Sequence, residues 1–295
     1  MSLNTFAPVG QVLDAMTNRE LGYIVKDQKP LILARDDTVR QACRCMWERR
    51  SGSVLVVDRQ QRLSGIFTGR DAVRLLAKGK DAGGASLAKA MTRNPVTIAP
   101  KSRAIDALRA MSEGGFRHIP VIEDGMIKGV VSRGDLKGME FEEFRWQYIG
   151  PARGSAPGFR EIAAIIEGQK PLLLAEEETL QHACRSMRKR KSGSTVVVDS
   201  QRLSGIFTGR DAVRVLATVE DAAGTRLAEA MTRSPVTIGP QSSAIEALRA
   251  MDDGGFRHLP VIENGKILGV VSRSDFTGIE IDRLDEEEHL KEVIW

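Results

Sequence analysis

One stretch of this chain is written twice. The run that begins RLSGIFTGRDAVR at Arg62 and continues through MTRNPVTIAP, ALRAM, GGFRHIPVIEDG and GVVSRGD returns 140 positions later, from Arg202. Aligned over 62–140 and 202–280, about 56 of about 79 positions are identical. A duplication on this scale restricts the fold to two copies of one unit of roughly 140 residues. Each copy is long enough to bury a core of its own. Any site in one copy must also have a counterpart in the other.

Within each copy lies a fainter repeat of about 64 residues. It relates VLVVDRQQRLSGIFTGRDAV (54–73) to IPVIEDGMIKGVVSRGDLKG (119–138). Both have an apolar strand, a polar turn, a second apolar strand, Gly, two apolar residues, Ser or Thr, two spacers and Asp. The chain is therefore four small units nested two by two, each reading strand, helix, strand, strand, helix. In the second unit, Pro95–Ile98 is β-branched and bounded by prolines, which suits the start of a strand. Ala104, Ile105, Ala107, Leu108 and Met111 recur at helical spacing, and Gly114-Gly115 ends that helix. His118–Ile122 and Met126–Val131 flank the turn Glu123-Asp124-Gly125, and a last helix starts near Ser132. In the first unit the same order runs Pro30–Ala34, Thr38–Arg50, Ser53–Asp58, Leu63–Phe67 and Thr68–Leu76.

The boundaries follow from this order. Residues 1–20 are an N-terminal extension that caps the first unit. The first pair occupies 21–145, with units over 21–80 and 85–140. A linker at 146–160 is rich in Gly, Pro and small residues. The second pair occupies 161–281, with units over 161–220 and 225–281, and 282–295 is an acidic helix or tail.

Aromatic residues make up only 5% of the chain, so its cores must be built from Val, Ile, Leu, Ala and Met. The net charge of +4 is a small surplus, 43 basic over 39 acidic residues. The one dense basic run, Arg185 to Lys191, reads as a solvated helix end, which argues against nucleic acid as a partner. Cys43, Cys45 and Cys184 are too few for a disulfide framework. Cys43 and Cys184 occupy matching places on an apolar helix face and read as buried, reduced thiols. No basic segment with an apolar run opens the chain, and no apolar stretch approaches the ~18 residues a membrane span needs. A cytoplasmic location follows. Metal-ligand spacing, a Gly-rich phosphate loop and nucleophile–base logic are all missing from the sequence, so neither a metal nor a catalytic role is expected.

The recurring signature is Gly, two apolar residues, Thr or Ser, two spacers and Asp. It places Thr68 with Asp71, Ser132 with Asp135, Thr208 with Asp211, and Ser272 with Asp275. The spacing has two readings. A hydroxyl at the N-cap and an acid in the first turn stabilise a helix start by themselves. The same pair can also hold a ribose diol, since hydrogen bonds to a charged group contribute about 1.5–3 kcal/mol each. Free N–H groups at the helix start and the guanidinium groups of Arg133 and Arg273 then suit a phosphate.

Together with MTRxPVTI (91–98 and 231–238) and FRH-Φ-PVI (116–122 and 256–262), this fourfold pattern resembles the cystathionine-β-synthase (CBS) domain. The resemblance runs from about residue 20 to 280. It implies an α+β fold of four CBS units (β-α-β-β-α) paired into two Bateman modules, similar in layout to the γ regulatory subunit of AMP-activated protein kinase. It also implies binding of AMP, ADP or ATP, with S-adenosylmethionine as an alternative, and no bound cofactor beyond that ligand. The four Thr/Ser–Asp pairs would hold ribose. Arg117, His118, Arg133, Arg257, His258 and Arg273 would hold phosphate, and Thr97 and Thr237 would line the base pocket. The Arg-His pair occurs only in the second unit of each copy; the first units carry Ser51-Gly52 and Ser192-Gly193 instead. The implied protein is a non-catalytic regulator that acts on a separate, unidentified partner. Its modules would stack through apolar helix faces into a disc, within one chain or in a homo-oligomer. The competing reading is a structural module whose hydroxyl–acid pairs are only helix caps.

Overall fold

The computed structural model describes residues 19–79, 82–136, 140, 160–276 and 280. All but the last residue of the expected linker over 146–160, the tail from 282 and all but the end of the N-terminal extension lie outside these residues. So do 137–139 and 277–279, on which most of the last helix of the second and fourth units falls.

In chain order the first copy holds α1 (Leu21–Val25), β1 (Ile32–Ala34), α2 (Val39–Glu48), β2 (Ser53–Val57), β3 (Leu63–Thr68), α3 (Gly69–Lys78), α4 (Leu87–Ala90), β4 (Thr92–Arg93), α5 (Ala104–Gly114), β5 (His118–Glu123) and β6 (Met126–Ser132). The second copy repeats this as α6 (Ile162–Ile165), β7 (Leu173–Ala175), α7 (Leu180–Arg190), β8 (Ser194–Asp199), β9 (Arg202–Thr208), α8 (Gly209–Thr218), α9 (Leu227–Ala230), β10 (Thr232–Arg233), α10 (Ala244–Asp253), β11 (His258–Glu263) and β12 (Lys266–Ser272). A short 3-10 turn follows β6 at Arg133–Asp135 and β12 at Arg273–Asp275.

These elements form two compact units. The smaller contains residues 19–29, 96–136, 140 and 280; the larger contains 30–79, 82–95 and 160–276. In the larger, β1 runs parallel to β2, and β2, β3 and β4 continue antiparallel; β7 to β10 repeat the arrangement. Strand β2 (SVLVV) is buried along its whole length, as its unbroken apolar run requires of a strand covered on both faces. Thr38 and Thr179 cap α2 and α7 by accepting the N–H of Gln41 and His182, each at 3.2 Å.

Within this larger unit the first and third repeats share one core. Helix α2 packs on α8, α3 on α7, and α3 on α8. Val39, Cys43, Met46, Phe67 and Leu76 join Leu180, Cys184, Met187, Phe207 and Leu216 in a single buried cluster. The starts of α3 and α8 meet at Gly69 and Gly209, where a Cβ on Gly69 would stand 3.1 Å from the Gly209 carbonyl oxygen. Arg40 donates to the Val219 carbonyl and Arg185 to the Ala77 carbonyl, both at 2.9 Å. Each cation thus meets the negative end of a helix across the interface. The rest of the basic run, Arg188 to Lys191, is exposed at the end of α7, as a solvated helix terminus should be.

Two expectations change. Arg19 and Glu20, the described end of the extension, lie against the second repeat and not the first. Glu20 bridges Arg103, the Leu21 N–H reaches the Ser102 carbonyl at 2.9 Å, and α1 lies on β6 of the second repeat. The cause is Gly129: a Cβ there would collide with Val25 and Gln28, so its absence opens the slot that α1 fills. Gly269 makes the same slot for Ile166 and Gln169 in the second copy. The strand expected over Pro95–Ile98 at the start of the second repeat contracts to one parallel bridge, Ile98 to Val121, and the unexpected two-residue strand before it, Thr92–Arg93, belongs to the sheet of the first repeat. Pro95 has no N–H for a ladder, so the bonds gather at Ile98: its N–H donates to Pro120 O at 3.0 Å and its carbonyl accepts from Ile122 N at 2.9 Å.

Candidate functional site

The antiparallel hairpin β5–β6 sets His118 opposite Ser132. One residue further out, the Arg133 N–H donates to the Arg117 carbonyl at 3.0 Å. Two segments fourteen residues apart therefore deliver Arg117, His118, Ser132, Arg133 and Asp135 to one corner. In the second copy β11–β12 does the same: His258 pairs with Ser272, and the Arg273 N–H donates to the Arg257 carbonyl at 3.0 Å.

The acid of this corner is open. Asp135 is exposed; its Oδ2 accepts the Ser132 N–H at 2.6 Å, and the Ser132 hydroxyl accepts the Gly134 N–H at 3.3 Å. Asp275 is likewise exposed and accepts the Ser272 N–H at 2.7 Å. A carboxylate offers about four acceptor positions, so most of each acid's capacity faces solvent. Arginines that the sequence reading missed fix the main chain here. Arg19 donates to the Asp135 carbonyl and Arg160 to the Asp275 carbonyl, both at 3.2 Å, and Arg19 is itself held by the buried Glu140 at 2.8 Å.

The pairs of the first and third repeats differ. Asp71 is 4% exposed and Asp211 5%. Asp71 Oδ2 accepts both the Thr68 N–H and the Thr68 hydroxyl at 2.9 Å; its Oδ1 accepts the Thr92 hydroxyl at 3.1 Å and faces Arg74 at 2.8 Å. Asp211 repeats this with Thr208 at 2.9 Å twice, Thr232 at 3.0 Å and Arg214 at 3.5 Å. Burial pushes the Asp71 carboxyl above the usual aspartate value, against the opposing pull of Arg74 and of the hydrogen bonds from Thr68 and Thr92. All four acceptor positions of each acid are taken by protein groups. The four pairs that look alike in sequence are thus two inward and two outward. The signals for the difference were the i,i+3 arginine after each inward acid and the threonine of the MTR segment.

Thr97 and Thr237 are exposed, one residue before the bridges Ile98–Val121 and Ile238–Val261. Beside them Val96 and Val236 are half exposed, at 53% and 54%, although apolar. In the larger unit the third repeat also reaches the corner of the fourth. Arg210 donates to the Gly255 carbonyl at 2.5 Å, and the His258 ring lies against Gly193, where a Cβ would stand 2.9 Å from Nε2. The Ser-Gly of one repeat thus makes room for the Arg-His of the next. On α10, Asp252 forms an ion pair with the Arg273 guanidinium.

Among the described residues no cluster of three or more His, Cys, Asp or Glu is placed to hold a metal, and no helix is long and apolar enough to cross a membrane.

The family model described as CBS domain matches this chain four times, at residues 25–78, 86–139, 166–218 and 227–280. CBS domain-containing protein CBSCBSPB2 of Arabidopsis thaliana is 30% identical over 261 residues, covering 80% of this chain and 48% of that protein. CBSCBSPB3 of the same plant is 29% identical over 264 residues, again with 80% and 48% coverage. The chain thus spans about half the length of these curated relatives. Among solved structures, protein MJ1225 of Methanocaldococcus jannaschii, described as a candidate archaeal homolog of g-AMPK, shares the fold with a TM-score of 0.69 at 18% identity; the match covers 87% of this chain and 98% of that one.

Proposed function

The chain belongs to the CBS-domain family, and we propose that it is a non-catalytic regulator that binds an adenosine nucleotide at the outward corners of its second and fourth repeats. The observation that carries this reading is the register of the two hairpins. His118 opposite Ser132, and His258 opposite Ser272, bring a basic cluster and an uncommitted acid together twice, 140 residues apart. In this reading Ser132 with Asp135, and Ser272 with Asp275, grip the ribose diol. Arg117, His118 and Arg133, and their equivalents Arg257, His258 and Arg273, meet the phosphates. Thr97 and Thr237, with Val96 and Val236, flank the base.

For the first and third repeats the capping reading is favoured. A ribose would have to displace protein donors from Asp71 or Asp211, so Thr68, Asp71, Thr208 and Asp211 serve the fold. AMP, ADP and ATP fit the basic corner. S-adenosylmethionine, which brings a sulfonium cation where the arginines stand, fits it less well. The regulated protein is a separate chain, and nucleotide binding acts on it through unequal affinity for two arrangements of the repeats.

Isothermal titration of the full chain with AMP, ADP, ATP and S-adenosylmethionine tests this. Dissociation constants of micromolar to millimolar order, about −8 to −4 kcal/mol, are expected for the nucleotides. Asp135→Ala and Asp275→Ala should each weaken one site by about 10- to 100-fold, the loss of one or two charged hydrogen bonds. No heat with any of these ligands up to millimolar concentration would sink the reading.

A further inference from the structure

The two outward corners share every residue given a ligand role above. Arg117, His118, Ser132, Arg133 and Asp135 become Arg257, His258, Ser272, Arg273 and Asp275 without a change of type. A charged neighbour of the fourth-repeat corner is neutral at the matching place in the second copy. Asp252, in the last turn of α10, pairs with the guanidinium of Arg273. Its equivalent 140 positions earlier is Ser112, a neutral residue in the last turn of α5.

We infer that Asp252 is a charge gate that makes the corner of the fourth repeat prefer a nucleotide with fewer phosphates than the corner of the second repeat accepts. The inference rests on the nucleotide reading of these corners. The Asp252–Arg273 pair lies at the rim, with side chains 32% and 29% exposed, where an incoming anion can reach it. The backbone bond from Arg273 to Arg257 sets these two residues side by side, next to His258 in the sequence. A phosphate drawn to Arg273 must share that cation with a carboxylate already in place. The repulsion from Asp252 grows with each further negative charge on the ligand. A monophosphate meets it weakly and a triphosphate strongly, so the acid discriminates by phosphate number. Specificity of this kind is made by a repulsive element added to an otherwise common site. Ser274, where the second repeat has Gly134, reinforces the difference: its hydroxyl lies 2.7 Å from that of Ser272 and ties down the ribose-side group of this corner alone.

The test uses the full chain carrying Asp135→Ala, so that the fourth repeat alone reports, titrated with AMP, ADP and ATP at low and physiological salt. Adding Asp252→Ser should raise ATP affinity about fivefold or more and AMP affinity about twofold or less, with the gain shrinking as salt rises. In the reciprocal background, Asp275→Ala, adding Ser112→Asp should lower ATP affinity relative to AMP by a similar factor. A ratio of ATP to AMP affinity that neither substitution moves overturns the gate. The nucleotide reading falls separately. If the Asp135→Ala chain binds nothing, or if adding Asp275→Ala leaves its binding intact, the corner is not a nucleotide site and the gate goes with it. Asp252 and Ser112 are both exposed, so unchanged circular dichroism and melting temperature should accompany either substitution.

Discussion

Asp71 and Asp135 hold the same place in the same signature, yet one carboxylate is filled by Thr68, Thr92 and Arg74 while the other takes a single main-chain N–H. The two cysteines at matching places show the opposite case, in which identical residues meet the same burial. Cys43 and Cys184 are fully buried in the shared core, and burial pushes both thiols up to about 12. Arg40 pulls Cys43 weakly the other way. A folded pKa above the unfolded value of 9.0 gives stability that is complete below pH 9 and lost as pH rises toward 12. Each thiol should contribute a slope of about 1.4 kcal/mol per pH unit in that window. Urea unfolding at pH 8 and pH 10 should therefore show a fall that the Cys43→Ala, Cys184→Ala chain lacks by about 2–3 kcal/mol. Iodoacetamide should label the native protein at the half-buried Cys45 and reach the other two only after unfolding.

At the scale of elements, the glycine that opens the signature answers to two different neighbours. In the first and third repeats it lets β4 and β10 cross closely: a Cβ on Gly65 would stand 2.7 Å from the Thr92 carbonyl, and one on Gly205 2.8 Å from that of Thr232. In the second and fourth repeats it admits α1 and α6. The loop before β8 is matched to the hairpin β11–β12 in the same way, with Gly193 under the ring of His258. Gly193→Ala would push on the tip of a side chain that can rotate away, so the fold should lose less than ~1 kcal/mol. His258, however, would leave its place. Nucleotide affinity at the fourth repeat should fall several-fold while the melting temperature barely moves; equal losses in both would show that His258 is only a packing residue.

At the scale of the larger unit, the first and third repeats are bound by one core and by the close meeting of two helix starts. Gly69 and Gly209 face each other with backbone as the nearest neighbour: a Cβ on Gly69 would stand 3.1 Å from the Gly209 carbonyl oxygen and one on Gly209 3.4 Å from that of Gly69, which leaves no space beyond a methyl group. Gly69→Leu should act as a wedge and cost about 1–3 kcal/mol, as overpacking does. Because Phe67, Leu76, Phe207 and Leu216 belong to the same cluster, the two repeats should unfold in a single transition. Separate transitions in a denaturant titration would contradict the shared core.

The amino-acid order alone determined the repeat count, the order of the longer strands and helices, and the hairpin turns, because each depends on neighbours within a few residues or on comparison of the chain with itself. The family resemblance named Arg117, His118, Ser132 and Asp135 with their copies, and the register of each hairpin brings those positions together. The amino-acid order marked the inward acids only by an arginine three residues on, Arg74 and Arg214, which does not by itself show that they are filled. The donors that fill Asp71 and Asp211 include Thr92 and Thr232, twenty-one residues away on a two-residue edge strand that no periodicity marks. Nor could the amino-acid order assign Glu20 and α1 to the second repeat, Gly193 to His258, or Asp252 to Arg273. Those pairings cross between elements, and only packing, which weighs space and charge over the folded chain, decides them.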